Sequence, residues 1–492
     1  MPREGETMHI YDSKIPAEAI CEFLNRLDKA NVPMHALLLM HKGKLVYEGY
    51  YAPYQKNMLH RMFSICKSLN ALAIGLLEAD GKLCLEDKII DYFPDKVPAT
   101  VHPYIAEMTI RDMLMMKTCH ASTTYKYDWD FEWIESFFTV TPTHHPGKVF
   151  RYDTSAAHVL CALVQRVSEQ NMLDFLKERA LRKIGWSEES YVLLNQFGDL
   201  QGGSGLMCTP LDLALLGQLL LQHGCWDGEQ LLPRDFVDIA TSNLTSTAMT
   251  GPSTGELPGY GYQIWYGEKN NYVLYGMGGQ FVICMPDYDL VCVTCADTQG
   301  INGANRMIFD SLYETILSAL DEVNAGIYPM PLVEGGYTSA QHLKDMTQNL
   351  HLKTVSERFS VFSPENTCQK QIDGKVFYFV ENQNSFTDMQ LFFDTANQGK
   401  FTYDYAGQHC ELAFGLSQCT ESTFPVYDMY CCTSGGWISP NTFLIHCQLL
   451  DSSVGTVQFE LCFGDKNVSV FMKKLEETLF TEYTGALYGT CN

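Results

Sequence analysis

Three short stretches of the chain hold residue types that could do chemistry together. The first is "FSICKSLNALAIGLL", Phe63 to Leu77, an apolar run that opens on Ser64 and carries Lys67 one turn later. On a helix, positions i and i+3 share a face, so the hydroxyl and the amine can meet. A serine at a helix N-terminus also has free backbone N–H groups and the positive end of the helix dipole beside it. A neutral lysine within reach could take the serine's proton and so activate it as a nucleophile. Taken alone, the pair reads first as an N-cap and a lysine that lays its methylenes along a core, since short motifs match by chance. Its context has to decide.

The second stretch is "HPGKVFRYDTSAAHVL", in which Tyr152 stands just ahead of a helix expected from about Ser155. A phenol there could point into a cleft, or it could be a half-buried tyrosine with a satisfied hydroxyl. The third is "YVLYGMGGQFVICMP", read as a single strand interrupted by Gly278 and Gly279. Adjacent glycines inside a strand mark a bulge or a close backbone approach, and a ligand passing along that edge is one cause of the latter.

These stretches need a scaffold to bring them together, and the pattern up to about residue 330 supplies one of mixed α+β type. "HALLLMHKGKLVYEGYYA" reads as a hairpin turning at Lys42-Gly43-Lys44, and the helix from Ser64 stops at Asp80-Gly81. "TPLDLALLGQLLLQHG" has Thr209 as cap, Pro210 in the first turn and Gly224 near the end, the signature of a helix. "DLVCVTCAD" reads as a further strand, in which Cys292 and Cys295 face opposite sides and serve structure rather than a metal. A helix over about 306–323 closes the region. "NAGIYPMPLVEGGYT" then reads as a linker, and about eight short alternating strands follow. That run predicts an antiparallel, lipocalin-like barrel. The expected domains are therefore 1–330 and 331–492.

With its three boxes in this order, the chain resembles the serine β-lactamase and penicillin-binding-protein superfamily, in its class C β-lactamase-like branch of esterases and peptidases. "FSICKS" stands for the Ser-x-x-Lys box, "FRYDTS" for the Tyr box and "GMGGQ" for the Lys/His-Thr-Gly box. Intervening text such as "MTIRDMLMMKTC" and "PGYGYQIWYG" agrees, so the resemblance covers roughly residues 15–325. It implies a β-lactamase/transpeptidase-like domain: a five-stranded antiparallel sheet flanked by helices, with a helical subdomain. It further implies Ser64 as acylated nucleophile, Lys67 and Tyr152 sharing general base and acid duty, and the backbone N–H groups of Ser64 and Gln280 as oxyanion hole.

Two departures bear on substrate. Thr154 stands where many relatives have Asn, and Met277 stands where they have Lys or His. A cation at the latter position would bind a substrate carboxylate and help lower the pKa of Lys67. Without it, burial has to neutralise the lysine, and the β-lactam carboxylate loses its anchor. The expected activity is a serine hydrolase of an ester or a small amide or peptide. The alternatives are acyl transfer from the same intermediate, and a sensing module acylated without turnover. Met277, Gly278, Gly279, Thr154 and the aromatic pair Tyr125 and Trp129 are the candidate substrate contacts, Tyr125 and Trp129 reading equally as core.

Composition narrows the partners. A net charge of −24, from 58 acids against 34 Lys and Arg, repels phosphate backbones and anionic membranes. No basic run overrides it locally, so nucleic acid is not an expected partner. Neither a spanning segment nor a secretory signal is visible, and eighteen cysteines without export suggest free thiols in a cytoplasmic protein. His144 and His145 lack metal-ligand spacing, and neither metal nor cofactor is expected.

Overall fold

The structure, a computed structural model, describes residues 15–249, 257–328, 338–359, 367–394 and 397–491. Strands β1 (Met34–His41) and β2 (Lys44–Tyr50) form the expected hairpin. Three later strands, β3 (Tyr272–Gly276), β4 (Gln280–Met285) and β5 (Leu290–Ala296), complete a sheet in the order β2-β1-β5-β4-β3, every pair antiparallel. The five strands expected are thus the body of the sheet. Three two-residue strands, Trp265–Tyr266, Gly259–Tyr260 and Thr245–Ser246, extend it beyond β3 to eight.

Strands β1, β4 and β5 are buried along their whole length, which is why they read as unbroken apolar runs. Successive side chains feed opposite layers. Leu38, Met40, Val282 and Val293 pack toward helix α2 (Ile65–Ala79) and the helical subdomain. Leu37, Leu39, Phe281 and Cys292 pack toward α1 (Ala17–Lys29) and the helical segment Ala304–Ala325. That last segment carries a π-helical turn, Leu312–Leu317, at its middle.

One strand assignment is corrected. The stretch read as one strand through "YGMGGQ" is a hairpin, with Met277-Gly278-Gly279 as the turn between β3 and β4. Gly278 has φ +80° and Gly279 φ +91°, so the glycines reverse the chain instead of bulging it. The apolar text on both sides of so tight a turn conceals the break.

Helix α2 is apolar on every face, and residues 65–77 are all buried. It lies beside α3 (Thr154–Ser168), with the segment Gly202-Gly203 threaded against both. A Cβ on Gly202 would sit 2.1 Å from Cys161 Cβ, and one on Gly203 2.3 Å from Thr154 Cγ2. Only glycine permits this approach.

Downstream, ten strands form one sheet from Phe377 to Thr490. Gly415 pairs with Ser434 and closes nine of them into a barrel, while Thr420–Phe424 hangs outside the ring on Met429–Ser439. Phe401, Tyr403, Phe459 and Tyr483 fill the interior, with the two tyrosine hydroxyls 2.9 Å apart. Thr420–Phe424 and Gly485–Thr490 were not expected as strands. The first is polar and the second carries two glycines, so neither shows clean alternation. Residues 329–337, the greater part of the expected linker, lie outside the described residues.

The barrel docks directly on the first part of the chain. Arg61 Nη1 donates to the Ser452 carbonyl at 3.0 Å, and Gln299 Nε2 to that of Val454 at 2.8 Å. Tyr54, Leu352, Cys432 and Leu450 form a small apolar cluster across the contact. Among the described residues, no helix is long and apolar enough to cross a membrane.

The packing of α3 on the 202–203 segment makes a prediction. Gly202→Ala should lower stability by about 1–3 kcal/mol, the usual cost of overpacking, as measured by chemical denaturation.

Candidate active site

Ser64 occupies the N-cap position of α2, with helical backbone angles, φ −66° and ψ −6°. Its side chain makes no capping hydrogen bond, which removes the structural explanation for a serine there. The residue before it, Phe63, has φ +46°, a left-handed conformation unusual for a bulky side chain. Such strain persists where the surroundings impose it, and here it turns the chain so that Ser64 meets the cleft half-exposed while Phe63 stays buried.

Lys67 is 1% exposed, and its Nζ donates to Ser64 Oγ at 2.8 Å and to the Gly203 carbonyl at 2.6 Å. Among the described residues, no carboxylate pairs with it at ion-pair distance. Burial therefore dominates and brings its pKa down to about 8, against the pull of Cys66, Glu477 and Asp153 in the other direction. Burial moves the amine toward its neutral form without a neighbouring cation.

Tyr152 is half-buried, its ring centroid 5.0 Å from Lys67 Nζ and its face stacked 5.5 Å from Trp265. Desolvation raises its pKa well above the ordinary phenol value, and a hydrogen bond with Ser64 only moderates the rise. Lysine and tyrosine are thus driven apart: the amine toward its neutral form, the phenol deeper into its own.

The next residue, Asp153, is fully buried and was missed by the sequence reading. Its carboxylate caps α3, accepting from the Ser155 and Ala156 N–H groups at 2.9 and 3.4 Å, and from Thr118 Oγ1 at 3.1 Å. Ser155 Oγ donates to it as well. The signal was present in "YDTSAAHVL", since Asp ahead of an apolar run marks a helix start. Thr154 has its N–H bonded to Thr123 Oγ1 at 3.0 Å, and its methyl lies against Gly203.

The β3–β4 turn runs beside the start of α2, for a Cβ on Gly276 would stand 2.4 Å from the Met62 carbonyl. Gln280 opens β4, and its side-chain amide fastens the turn to β5. Its Nε2 donates to the carbonyls of Met277 and Ala296 at 2.7 and 2.9 Å, and its Oε1 accepts from the Ala296 N–H at 3.0 Å. Met277 is half-buried and brings no charge to the turn. Gly278 and Gly279 are buried, with their Cα faces toward Ala296 and Thr298.

Tyr125 stacks on Trp133 with centroids 4.1 Å apart and planes at 12°, both rings buried. Trp129 leans on Tyr125 at 5.4 Å and is 47% exposed, so the stack is core at one end and open surface at the other. A further residue missed from sequence is Glu477, on the loop after the barrel strand Asn467–Lys474. Its charge bears on Lys67, Tyr152, Tyr125 and Arg61. Nothing local in its sequence could have shown this, because the contact exists only once the barrel has docked.

A family model described as Beta-lactamase matches residues 22–309. The 6-aminohexanoate-dimer hydrolase of Paenarthrobacter ureafaciens is 22% identical over 279 residues, 52% of this chain and 71% of that protein. A solved structure from Bacillus anthracis, assigned as a 6-aminohexanoate-dimer hydrolase, is 21% identical with a TM-score of 0.51, covering 61% of this chain and 82% of its own. A penicillin-binding-protein homologue from Caulobacter crescentus is 14% identical with a TM-score of 0.50, covering 61% and 98%. The two structures share the fold, and the family match ends before the barrel begins.

The buried lysine makes a prediction with a definite sign. Its pKa falls from 10.5 to about 8 on folding, so between those values the unfolded chain binds more protons and Lys67 opposes folding as pH drops. At 1.36 kcal/mol per unit the cost is about 3 kcal/mol, complete below pH 8 and absent above 10.5. The stability difference between Lys67→Met and the wild type should therefore shift by about that amount, in favour of the wild type, from pH 8 to 10.5 in urea melts.

Proposed function

Because the chain belongs to the β-lactamase family of hydrolases, we propose that it is a serine hydrolase acting through an acyl-enzyme on Ser64. The observation that carries this reading is the 2.8 Å approach of a buried Lys67, its pKa lowered by that burial, to a serine hydroxyl that caps nothing. Neutral Lys67 accepts the Ser64 proton as the oxygen attacks the substrate carbonyl. Tyr152, held in its protonated form, donates to the leaving oxygen or nitrogen and is reprotonated through the lysine. Water then attacks the acyl-enzyme carbonyl, giving its proton to neutral Lys67, which returns it to Ser64 Oγ as the acyl group leaves. The developing oxyanion is received by the N–H groups of Ser64 and Gln280, a main-chain hole that the glycine turn leaves open to a substrate carbonyl.

Substrate class follows from Met277. A thioether cannot hold a carboxylate, so esters and small amides or peptides fit the cleft better than β-lactams. The reaction belongs to residues 1–330, and the barrel of 331–492 borders the cleft.

Intact mass after exposure to a fluorophosphonate, with p-nitrophenyl ester turnover measured in parallel, tests this. Wild type should gain one adduct and release nitrophenol, and Ser64→Ala should do neither. Because protonated Lys67 cannot act as a base, kcat/KM should fall as pH drops through about 8. An unlabelled, inactive wild type would overturn the proposal.

A further inference from the structure

Two loops near the Ser64 cleft present large apolar side chains to solvent. Trp129 and Phe131 lie on one, 47% and 40% exposed, and Leu194 and Phe197 on the other, 59% and 40% exposed. Neither loop is loosely held. Asn195, itself buried, accepts the N–H groups of Phe197 and Asp199 on its side-chain oxygen at 2.9 Å each. Its own N–H donates to the Asp199 carbonyl at 2.8 Å, and its carbonyl accepts from Gly198 at 3.1 Å. That turn fixes the backbone and leaves the apolar side chains in water. The Trp129 carbonyl accepts from Gln196 Nε2, and from Trp133 Nε1 at 3.4 Å, so the two loops are tied to each other. Open apolar surface on built loops marks a place where something binds.

Direct contacts connect this patch to the catalytic residues. Phe63, the residue before Ser64, forms a β-bridge with Gly205, whose carbonyl accepts the Leu193 N–H at 2.9 Å. Gln201 joins the same loop to Arg61: its Oε1 accepts from Arg61 Nη2 at 3.4 Å, and its Nε2 donates to the Leu194 carbonyl at 3.0 Å. On the other loop, Thr123 Oγ1 accepts the Thr154 N–H at 3.0 Å, and Ser155 Oγ accepts the Thr124 N–H at 3.1 Å. Those bonds fasten it to the start of α3, next to Tyr152, and Trp129 carries the Tyr125–Trp133 stack outward from there. Charge narrows what covers the patch. Asp128, Asp130 and Asp199 stand among these side chains in sequence, against Lys126. A second copy pairing face to face would set those acids against one another in a chain already at −24, and an anionic surface would meet the same repulsion. An uncharged apolar group meets none, and a substrate held at Ser64 brings its remainder within reach of the patch.

We infer that Trp129, Leu194 and Phe197 form an apolar subsite that takes an uncharged alkyl chain or aromatic ring of the substrate, making the preferred substrates esters or amides with an extended apolar group. The inference rests on the serine hydrolase reading and deepens it. Each methylene fully taken out of water is worth about a fourfold gain in binding. Recognition by buried area then stands where a charged anchor is missing at Met277.

The test measures kcat/KM along two series, p-nitrophenyl esters from acetate to octanoate and alkyl acetates from methyl to hexyl, each below the concentration at which the substrate aggregates. From the shortest to the longest member of at least one series, wild type should gain about tenfold or more. Trp129→Ala and Leu194→Asn should each lower that ratio, chiefly through KM, and the double variant should bring it close to one. Thermal melts of the variants establish that they fold. Two flat series in the wild type, or a ratio that the double variant leaves unchanged, overturns the inference. Sedimentation velocity checks the rival occupant, and a dimer that Leu194→Asn dissociates overturns it as well. Should both series be flat while the fluorophosphonate still labels Ser64, only the subsite falls. Should Ser64 go unlabelled and no ester be cleaved, the hydrolase reading fails and this inference with it.

Discussion

An amine without water is the constraint around which this structure is arranged. Lys67 has a single hydroxyl and a single carbonyl as its polar company, and everything that excludes solvent from it belongs to the fold's core. Helix α2 has to be apolar all round to seal it. The Gly202-Gly203 segment has to come within backbone distance of α3 to supply the carbonyl, and glycine is what allows that approach. The opposing effects on the lysine can be weighed. Desolvation outruns the opposing pull of Cys66, Glu477 and Asp153, and the pKa of the amine falls to about 8.

The two halves of the chain bury their β-structure differently. The eight-stranded sheet is covered on both faces by helices, whereas the downstream sheet bends until Gly415 meets Ser434 and closes a ring. Closure makes the barrel rigid, and a rigid body can hold a loop against a neighbour. The bonds of Glu476 to Ser453 and Thr478 extend that rigidity into the connection beside the cleft.

Much of this was legible in the amino-acid sequence, for reasons that differ by residue. Ser64, Lys67 and Tyr152 stand in short local patterns whose spacing survives folding, and the structure brings all three together. Strands β1, β2 and β5 and the capped helix at Pro210 were readable from periodicity and punctuation, and the five-stranded sheet from the resemblance. The β3–β4 reversal was not, because apolar residues run on both sides of it and the glycines suit a bulge as well as a turn. Asp153 was not either, because the helix reads as starting about Ser155, which hides the aspartate that caps it. Glu477 lay beyond reach altogether. Its relation to Lys67 is made by docking two separately cored bodies, and no periodicity encodes that.

The pairing of β1 with β5 has a consequence for the order of events during synthesis. Met34–His41 leaves the ribosome early, yet its partner Leu290–Ala296 follows only after α2, α3 and the β3–β4 turn have all been made. Until then β1 has one neighbour, the sheet has no centre, and the turn beside the start of α2 has nothing to be fastened to. The nascent chain therefore carries its serine and lysine long before it owns a cleft. Such late, long-range closure slows folding, and it means the surroundings of Ser64 are completed only near the end of the domain's synthesis.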